Sequence, residues 1–159
     1  MTETNMKQFW LMKTEPSVYS IDDLKREGKT QWEGIRNYQA RNFMRDSMNI
    51  GDTVFIYHSN AKEIGIVGLA EVCSEPYPDH FAWNPESNYF DAKSSPEKPI
   101  WMMVDVAFKK KFNSILTLQT LKETKGLEGL LVIKRGMRLS IQPVEPQHAK
   151  QLLGILEST

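Results

Sequence analysis

Short apolar runs bounded by polar or turn-forming residues predict five strands along the chain. The run "FWLMKT" at 9–14 is apolar and aromatic, and "DTVFIYH" at 52–58 is apolar on both faces, which suits a strand in the middle of a sheet. The other predicted strands lie at 65–72, 100–112 and 138–144. We expect Pro143 to stop the last of them, because proline cannot donate to a sheet ladder.

Helical spacing and capping residues predict helices between these strands. In "SIDDLKREG", Ser20 suits the N-cap, the two aspartates suit the first turn, and Gly28 suits the C-terminal end. In "NYQARNFMRDSM", apolar side chains recur at a helical period and Asn37 suits the N-cap. The pattern over residues 116–133 predicts one or two short helices. The pattern over residues 145–156 predicts an amphipathic helix that begins with a proline.

The predicted order is strand, two helices, three strands, helices, strand and helix. The short connection between 52–58 and 65–72 favours antiparallel pairing. This order predicts a mixed α+β fold built on a curled sheet, in a single domain over 7–157 that follows a short polar tail, residues 1–6. Residues 75–99 hold five of the eight prolines, and irregular loops of this length are often functional.

Composition and charge narrow the classes of function. The chain has 20 lysines and arginines against 20 aspartates and glutamates, so its formal net charge is zero. This balance argues against a protein that holds long nucleic acid mainly by its phosphates, but it permits a short contact centred on a pocket. The sequence contains no apolar run long enough to span a membrane and no apolar signal segment at its start, which predicts a cytoplasmic, non-secreted protein.

Residue types that bind metals and cofactors are scattered. The three histidines belong to a predicted strand, a loop and a helix, and no Cys or His pair has the spacing of metal ligands. The glycines of "GIVGLAE" form neither a dinucleotide fingerprint nor a phosphate-binding loop. The sequence therefore predicts no metal and no cofactor, no partner in a membrane, and it leaves the oligomeric state open.

The end of the first predicted strand carries a group with possible catalytic chemistry, Lys13, Thr14 and Glu15. A lysine can activate a threonine hydroxyl as a nucleophile. In an extended chain, however, Lys13 and Glu15 share one face and Thr14 lies on the other. We therefore prefer a lysine–glutamate pair at a strand exit to a catalytic group.

The stretch "WEGIRNYQARNFMRD" at 32–46 combines ring, guanidinium and amide side chains. A glycine lets the chain bend beside Trp32, whose flat face could stack on a nucleobase. Asn37 could read a base edge, and the arginines 36, 41 and 45 could hold flanking phosphates. Taken alone, these residues slightly favour a plainer interpretation, in which Trp32 packs on the core and the arginines cover a solvated helix face.

Two more polar clusters could surround a bound ring. Ser59 and Asn60 follow the strand at 52–58. In "RLSIQPV", Arg138, Ser140 and Gln142 alternate with apolar residues, which predicts three polar side chains on one strand face. Polar groups are costly when buried without partners, so each of these is either solvated or paired.

Several segments, in order, resemble the EVE domain family. They are "FWLMKTEPSVYSIDDL", "WEGIRNYQARNFMRD", "GDTVFIYHSN", "GIVGLAEV", "YFDAKS", "WMMVDV" and "RLSIQPV". The resemblance runs from about Phe9 to the terminal helix, and the combination of "WEGIRNYQARN" with "RLSIQPV" is specific. The family's usual "KSEP" and "GVRN" stand here as "KTEP" and "GIRN", and neither change threatens the pocket.

The resemblance implies a PUA-like fold, a curled mixed β-barrel flanked by short helices, similar to YTH domains that seat a methylated adenine in an aromatic cage. It also implies a non-enzymatic reader that binds a modified, methylated base of DNA or RNA. The base would have to be flipped out or single-stranded. Its methyl group would be recognised by contact with aromatic faces.

The resemblance also implies roles for particular residues. Trp32 would be a cage wall, with Lys13 and Thr14 on the pocket floor. Asn37 would contact the base or its neighbour, in the same segment as Arg36 and Tyr38. Ser59 and Asn60 would line the rim of the pocket, and the nucleic-acid backbone or the base would be faced by Arg138, Ser140 and Gln142. The second wall would come from the long loop, from Trp83, Tyr89 or Phe90, with Tyr89 included in the predicted site.

Two other functions stay open. PUA-like relatives of the ASCH group include amidohydrolases that use lysine, threonine and glutamate, so hydrolysis of a modified nucleoside is one alternative. A protein-interaction adaptor is the other, and the zero net charge is its best support. For the reader, we expect Trp32→Ala to abolish the preference for a modified base while leaving the fold intact. The modification itself, and the choice between DNA and RNA, stay open.

Overall fold

A six-stranded sheet forms the centre of the computed structural model, which describes residues 7–157. In chain order the strands of the molecule are β1 (Phe9–Thr14), β2 (Lys29–Gln31), β3 (Thr53–His58), β4 (Gly65–Val72), β5 (Tyr77–Pro78), β6 (Met102–Met103), β7 (Asp105–Thr117) and β8 (Ile141–Val144). The large sheet has the order β2-β7-β4-β3-β1-β8, while β5 and β6 form a separate pair. Strands β1 and β3 run parallel and the other neighbours run antiparallel, so the sheet is mixed.

Four short helices flank the strands. They are α1 (Ile21–Glu27), α2 (Tyr38–Asn42), α3 (Leu118–Glu123) and α4 (Pro146–Glu157), and α2 continues as a π-helical turn over Phe43–Ser47. The predicted caps are confirmed: the Ser20 hydroxyl accepts from the backbone N–H of Asp23, Gly28 ends α1 with φ 84°, and the Asn37 side chain accepts from the backbone N–H of Ala40 at 2.9 Å. These side chains satisfy helix-end groups that would otherwise lack partners.

The sheet curls into a half-barrel, which confirms the predicted fold class. Its pairing register shifts once between β3 and β4 and twice between β4 and β7. Such irregularities bend a strand and increase its twist. Gly68 lies beside one of these shifts, and a Cβ there would sit 2.5 Å from the Lys110 carbonyl oxygen, so the two backbones approach closely only because this residue is glycine.

The two faces of the sheet bury two separate apolar clusters. Trp10 and Met12 of β1 belong to the first cluster, together with Trp32, and Leu11 belongs to the second. This division follows from the strand period, which sends successive side chains to opposite faces. The second cluster is covered by α4 through Leu152 and other apolar side chains, as its amphipathic pattern predicts.

Three predictions about the strands need correction. The strand predicted at 100–112 is interrupted at Val104, and β7 continues to Thr117. The short strand β2, which pairs with β7, was not predicted. Strand β8 begins at Ile141 instead of 138 and passes through Pro143. Proline is tolerated there because β8 is the edge strand of the sheet and has only β1 as a neighbour.

The predicted polar tail, residues 1–6, lies outside the described residues. Between residues 7 and 157, no helix is long and apolar enough to cross a membrane.

Candidate functional site

A cavity of about 570 Å³ opens where β1 and β3 end. Because these two strands are parallel, their carboxyl ends meet at the same edge of the sheet. Lys13 and Thr14 at the end of β1, Glu15 after it, and Ser59 after β3 all line the cavity. Its volume falls within the roughly 300–1,000 Å³ typical of small-molecule pockets.

Four other segments complete the walls. They are Val18 and Tyr19 from the turn after β1, residues 30–35 at and after β2, the loop before β8 that supplies Met137, Arg138 and Ser140, and Tyr89 from the long irregular loop. Backbone hydrogen bonds hold the segments together: the Lys13 N–H donates to the Ser140 carbonyl oxygen at 2.8 Å, and the Ser59 N–H donates to the Thr14 carbonyl oxygen at 3.0 Å. The cavity is thus formed from parts of the chain that lie more than 100 positions apart.

Trp32 is a wall of the cavity and part of the hydrophobic core at the same time. Its side chain is only 7% exposed and packs in the first apolar cluster, yet the residue lines the cavity. Its backbone N–H donates to the Val104 carbonyl oxygen at 2.8 Å. We therefore expect Trp32→Ala to destabilise the fold as well as the cavity, unlike the first expectation that it leaves the fold intact, because the indole also fills the interior.

Of the three aromatic residues proposed for the second wall, Tyr89 lines the cavity, whereas Trp83 and Phe90 lie outside it. The Tyr89 ring packs directly over Gly34, where a Cβ would lie 2.7 Å from the ring. Gly34 also has φ +86°, a left-handed conformation that favours glycine. The glycine thus permits both the bend beside Trp32 and the close approach of the tyrosine.

Arg36 holds the loop that carries Tyr89. Its guanidinium donates to the Tyr89 carbonyl oxygen at 2.6 and 3.0 Å and to Asp79 Oδ2 at 3.0 Å. Asp79 is fully buried and also accepts from the backbone N–H of Gly34 at 2.9 Å. The guanidinium lies 5.5 Å from the centre of the Trp101 ring. Arg36 therefore has internal partners and lies outside the cavity lining, which differs from the predicted phosphate contact.

The Lys13, Thr14 and Glu15 group occupies one wall of the cavity. That Thr14 lies on the face opposite to Lys13 and Glu15 stays a prediction; all three residues line the cavity, and β1 ends at Thr14. The Thr14 hydroxyl donates to the Tyr19 carbonyl oxygen at 2.8 Å. Lys13 Nζ lies 3.3 Å from the Met137 carbonyl oxygen, and burial lowers the pKa of this lysine.

Besides Arg36, four predicted site residues lie outside the cavity lining. Asn37 caps α2, and Tyr38 is 57% exposed and stacks on Trp101 with 4.8 Å between ring centroids. Asn60 donates from its amide to Glu15 Oε1 at 3.1 Å. Gln142 is 1% exposed and donates to the Leu139 carbonyl oxygen at 2.8 Å.

The predicted row of three polar side chains before and along β8 does not form. Arg138 and Ser140 reach the cavity from the loop before the strand, whereas Gln142 lies within the strand, where it pairs with Leu11. The alternation rule fails here because the first two residues are not in extended strand structure.

Glu33 is a cavity residue that the sequence analysis missed. It is half-buried between Trp32 and Gly34, and burial raises the pKa of its carboxyl group. Its position next to the tryptophan of "WEGIRN" was the available signal. Among the residues that the structure describes, no group of three or more His, Cys, Asp or Glu side chains could hold a metal ion.

The fold and the position of the cavity define a class of protein, a small curled-sheet domain with a pocket at the end of its two parallel strands. The model of the EVE domain matches residues 8–155, so the chain belongs to the EVE domain family. It is 39% identical to human thymocyte nuclear protein 1 over 171 aligned positions, which cover 96% of this chain and 76% of the relative.

Solved structures show the same relationship. A Pseudomonas syringae protein is 44% identical with a TM-score of 0.89, over 92% of this chain and 98% of that one. Human thymocyte nuclear protein 1, solved in complex with 5-methylcytosine-containing DNA, is 38% identical with a TM-score of 0.86, over 95% of this chain and 98% of that one. An ASCH protein from Zymomonas mobilis is 8% identical with a TM-score of 0.53, over 94% of this chain and 96% of that one, and this likeness concerns the fold alone.

Proposed function

We propose that this protein is a non-enzymatic reader that binds a methylated base of DNA in the cavity beside Trp32 and Tyr89. The observation that carries the proposal is the cavity itself, which has three aromatic residues in its walls, Tyr19, Trp32 and Tyr89, and hydroxyl and cationic groups around them. It is supported by the human relative, which was solved in complex with 5-methylcytosine-containing DNA. That relative makes 5-methylcytosine in DNA the first ligand to test, ahead of modified bases in RNA.

The arrangement suits a flipped-out or single-stranded base. Such a base leaves its stack, and aromatic side chains replace part of the lost stacking at about 1–3 kcal/mol per base. Ser59 and Ser140 line the same cavity and carry hydroxyl groups that can donate or accept. Arg138 is exposed at the cavity and could meet an adjacent phosphate.

The net charge of zero limits the phosphate contribution. Binding that depends on a few phosphate contacts has a shallow salt dependence, whereas binding through a long basic surface has a steep one. We therefore expect affinity to come mainly from the base and only modestly from the backbone. The predicted cytoplasmic location stays a prediction.

The alternative, a hydrolase of modified nucleosides, has less support in the geometry. Lys13, Thr14 and Glu15 do line one cavity, as such an enzyme requires. The Thr14 hydroxyl, however, donates its hydrogen bond to the Tyr19 carbonyl oxygen, which cannot act as a base for a nucleophile. Incubation with acylated nucleosides should therefore yield no product. Turnover that disappears in Lys13→Ala would favour the enzyme.

The reader is tested by titrating labelled oligonucleotides that differ at one base. The panel contains 5-methylcytosine, cytosine, N6-methyladenine and adenine in the same sequence context. We expect at least one methylated base to bind about 10-fold more tightly than its parent, the effect of one well-placed methyl group. Equal affinities across the panel would overturn the proposal, and no binding at all would favour a protein-interaction adaptor.

A further inference from the structure

Contact with a methyl group alone leaves a reader of 5-methylcytosine unable to reject thymine. Both bases carry the same methyl group on C5. They differ at position 4, where 5-methylcytosine has an amino group that donates hydrogen bonds and thymine has an oxygen that accepts them. Aromatic walls that recognise the methyl group do not sense this difference, so a polar group in the cavity must read position 4.

Glu33 is the residue placed to do this. It lines the cavity directly after the wall residue Trp32 and is half-buried. Within the described part of the chain, its carboxyl group has no hydrogen bond or ion pair to another residue. Burial raises its pKa, and the nearby carboxylates of Asp79 and Glu27 act in the same direction while His80 opposes them. A desolvated carboxylate in this position gains from a ligand that brings a donor.

Glu15, the other acidic residue that lines the cavity, differs from Glu33 in its exposure and in its hydrogen bonding. Glu15 is exposed, and its carboxylate accepts a hydrogen bond from the Asn60 amide at 3.1 Å. It therefore has both water and a partner available.

We infer that Glu33 makes the cavity selective for bases that carry a 4-amino group, so that the protein distinguishes 5-methylcytosine from thymine. The inference rests on the proposed function. An oxygen of Glu33 accepts a hydrogen bond from the amino group of 5-methylcytosine. With thymine, the carboxylate would face the oxygen at position 4, so two acceptors would meet and the half-buried charge would keep only its own backbone N–H as a donor.

The test uses four single-stranded oligonucleotides that carry 5-methylcytosine, cytosine, thymine or uracil at one position. This set varies the methyl group and the amino group independently, and single strands remove differences in base-pair opening. We expect the wild-type protein to bind the amino base of each pair roughly 5- to 150-fold more tightly, the range of one good base-edge contact.

Glu33→Gln is the decisive variant, because an amide of the same shape can either accept from the amino group or donate to the oxygen. We expect it to reduce the amino preference to about 2-fold or less while the effect of the methyl group persists. Glu63→Gln, at an exposed residue outside the cavity lining, should leave both preferences unchanged. Thermal unfolding of each variant checks that the protein remains folded.

The outcomes separate the two proposals. If Glu33→Gln keeps the amino preference, or the wild type has none, the inference about Glu33 is wrong even when the methyl preference is present. If the methyl group has no effect in either pair, the proposed function fails, and the ratio of cytosine to uracil still tests Glu33.

Discussion

Two neighbouring segments of one sequence stretch have different surroundings in the folded protein. We call residues 32–36 the cavity segment and residues 37–46 the helix segment. The cavity segment contributes Trp32 to the core and to the cavity, and its Arg36 binds the buried Asp79. The helix segment turns away from the cavity, and its Arg45 pairs on the surface with the adjacent Asp46. Similar residue types therefore have different roles a few positions apart.

The difference shows that an aromatic and basic stretch indicates a possible binding site but does not identify which of its rings lies at the cavity. Trp32 was predicted to stack on a base and Tyr38 was included in the predicted site, but the first is 7% exposed and the second 57% exposed. The exposed ring is not beside the cavity and stacks on Trp101 instead. Exposure alone therefore does not identify the ring that meets a ligand. Paired substitutions in the cavity segment and the helix segment test this difference by their effects on stability and binding.

The largest expected effect is that of Trp32→Ala. Removing a buried indole should lower the free energy of unfolding by about 3–5 kcal/mol. Tyr38→Ala should lower it by about 0.5–1.5 kcal/mol, because it removes one stacked pair at the surface. Urea denaturation of both variants measures the difference, and equal losses would mean that the indole is not part of the core.

Arg36→Ala should have the next largest effect. It leaves the fully buried Asp79 with its backbone donors but without its cationic partner, and it releases the carbonyl oxygen of Tyr89. We expect a loss of about 1–3 kcal/mol in unfolding free energy, below that of a completely buried pair because Arg36 is partly exposed. Arg45→Ala should cause no measurable loss in the same urea experiment. If Arg36→Ala did not change the free energy of unfolding, another contact would hold the loop that carries Tyr89.

Gly34→Ala should destabilise the protein by about 1–3 kcal/mol, through the strain of a left-handed residue and the contact of the new methyl group with the Tyr89 ring. Gly28→Ala is the matched control, since Gly28 has φ +84° and no atom within 4 Å of a Cβ. The difference between the two variants isolates the ring contact. Adding Tyr89→Ala to Gly34→Ala should restore part of the stability lost through the ring contact. If no stability is restored, the loss in Gly34→Ala comes entirely from backbone strain.

The smallest effect is expected for Arg138→Ala, and it concerns binding. If Arg138 meets a phosphate, the slope of log affinity against log salt should decrease by about 0.7–0.9. Stability and the preference for the methylated base should not change. Arg45→Ala should keep the slope of the wild type. A slope that is the same in both variants would remove Arg138 from the set of phosphate contacts.

Local features were predictable where neighbouring residues decide them. The caps Ser20 and Asn37 are confirmed, because each needs only an N–H three residues away. The expectation that Pro143 stops the last strand was wrong, since proline is tolerated on an edge strand such as β8, and strand order is not a local property. Gln142 was assigned to the wrong surroundings because alternation was extended to residues that are not in a strand.

The sequence by itself determined the family, the mixed sheet with its helices, and much of the set of residues around the cavity. These follow from apolar periods, capping groups and a specific combination of segments. Only the tertiary structure decided that Tyr89 and not Trp83 or Phe90 completes the wall, that Arg36 faces Asp79, and that Glu33 enters the cavity. The physical reason is that these contacts join residues distant in sequence, such as Gly34 and Tyr89, whose approach depends on the packing of whole segments.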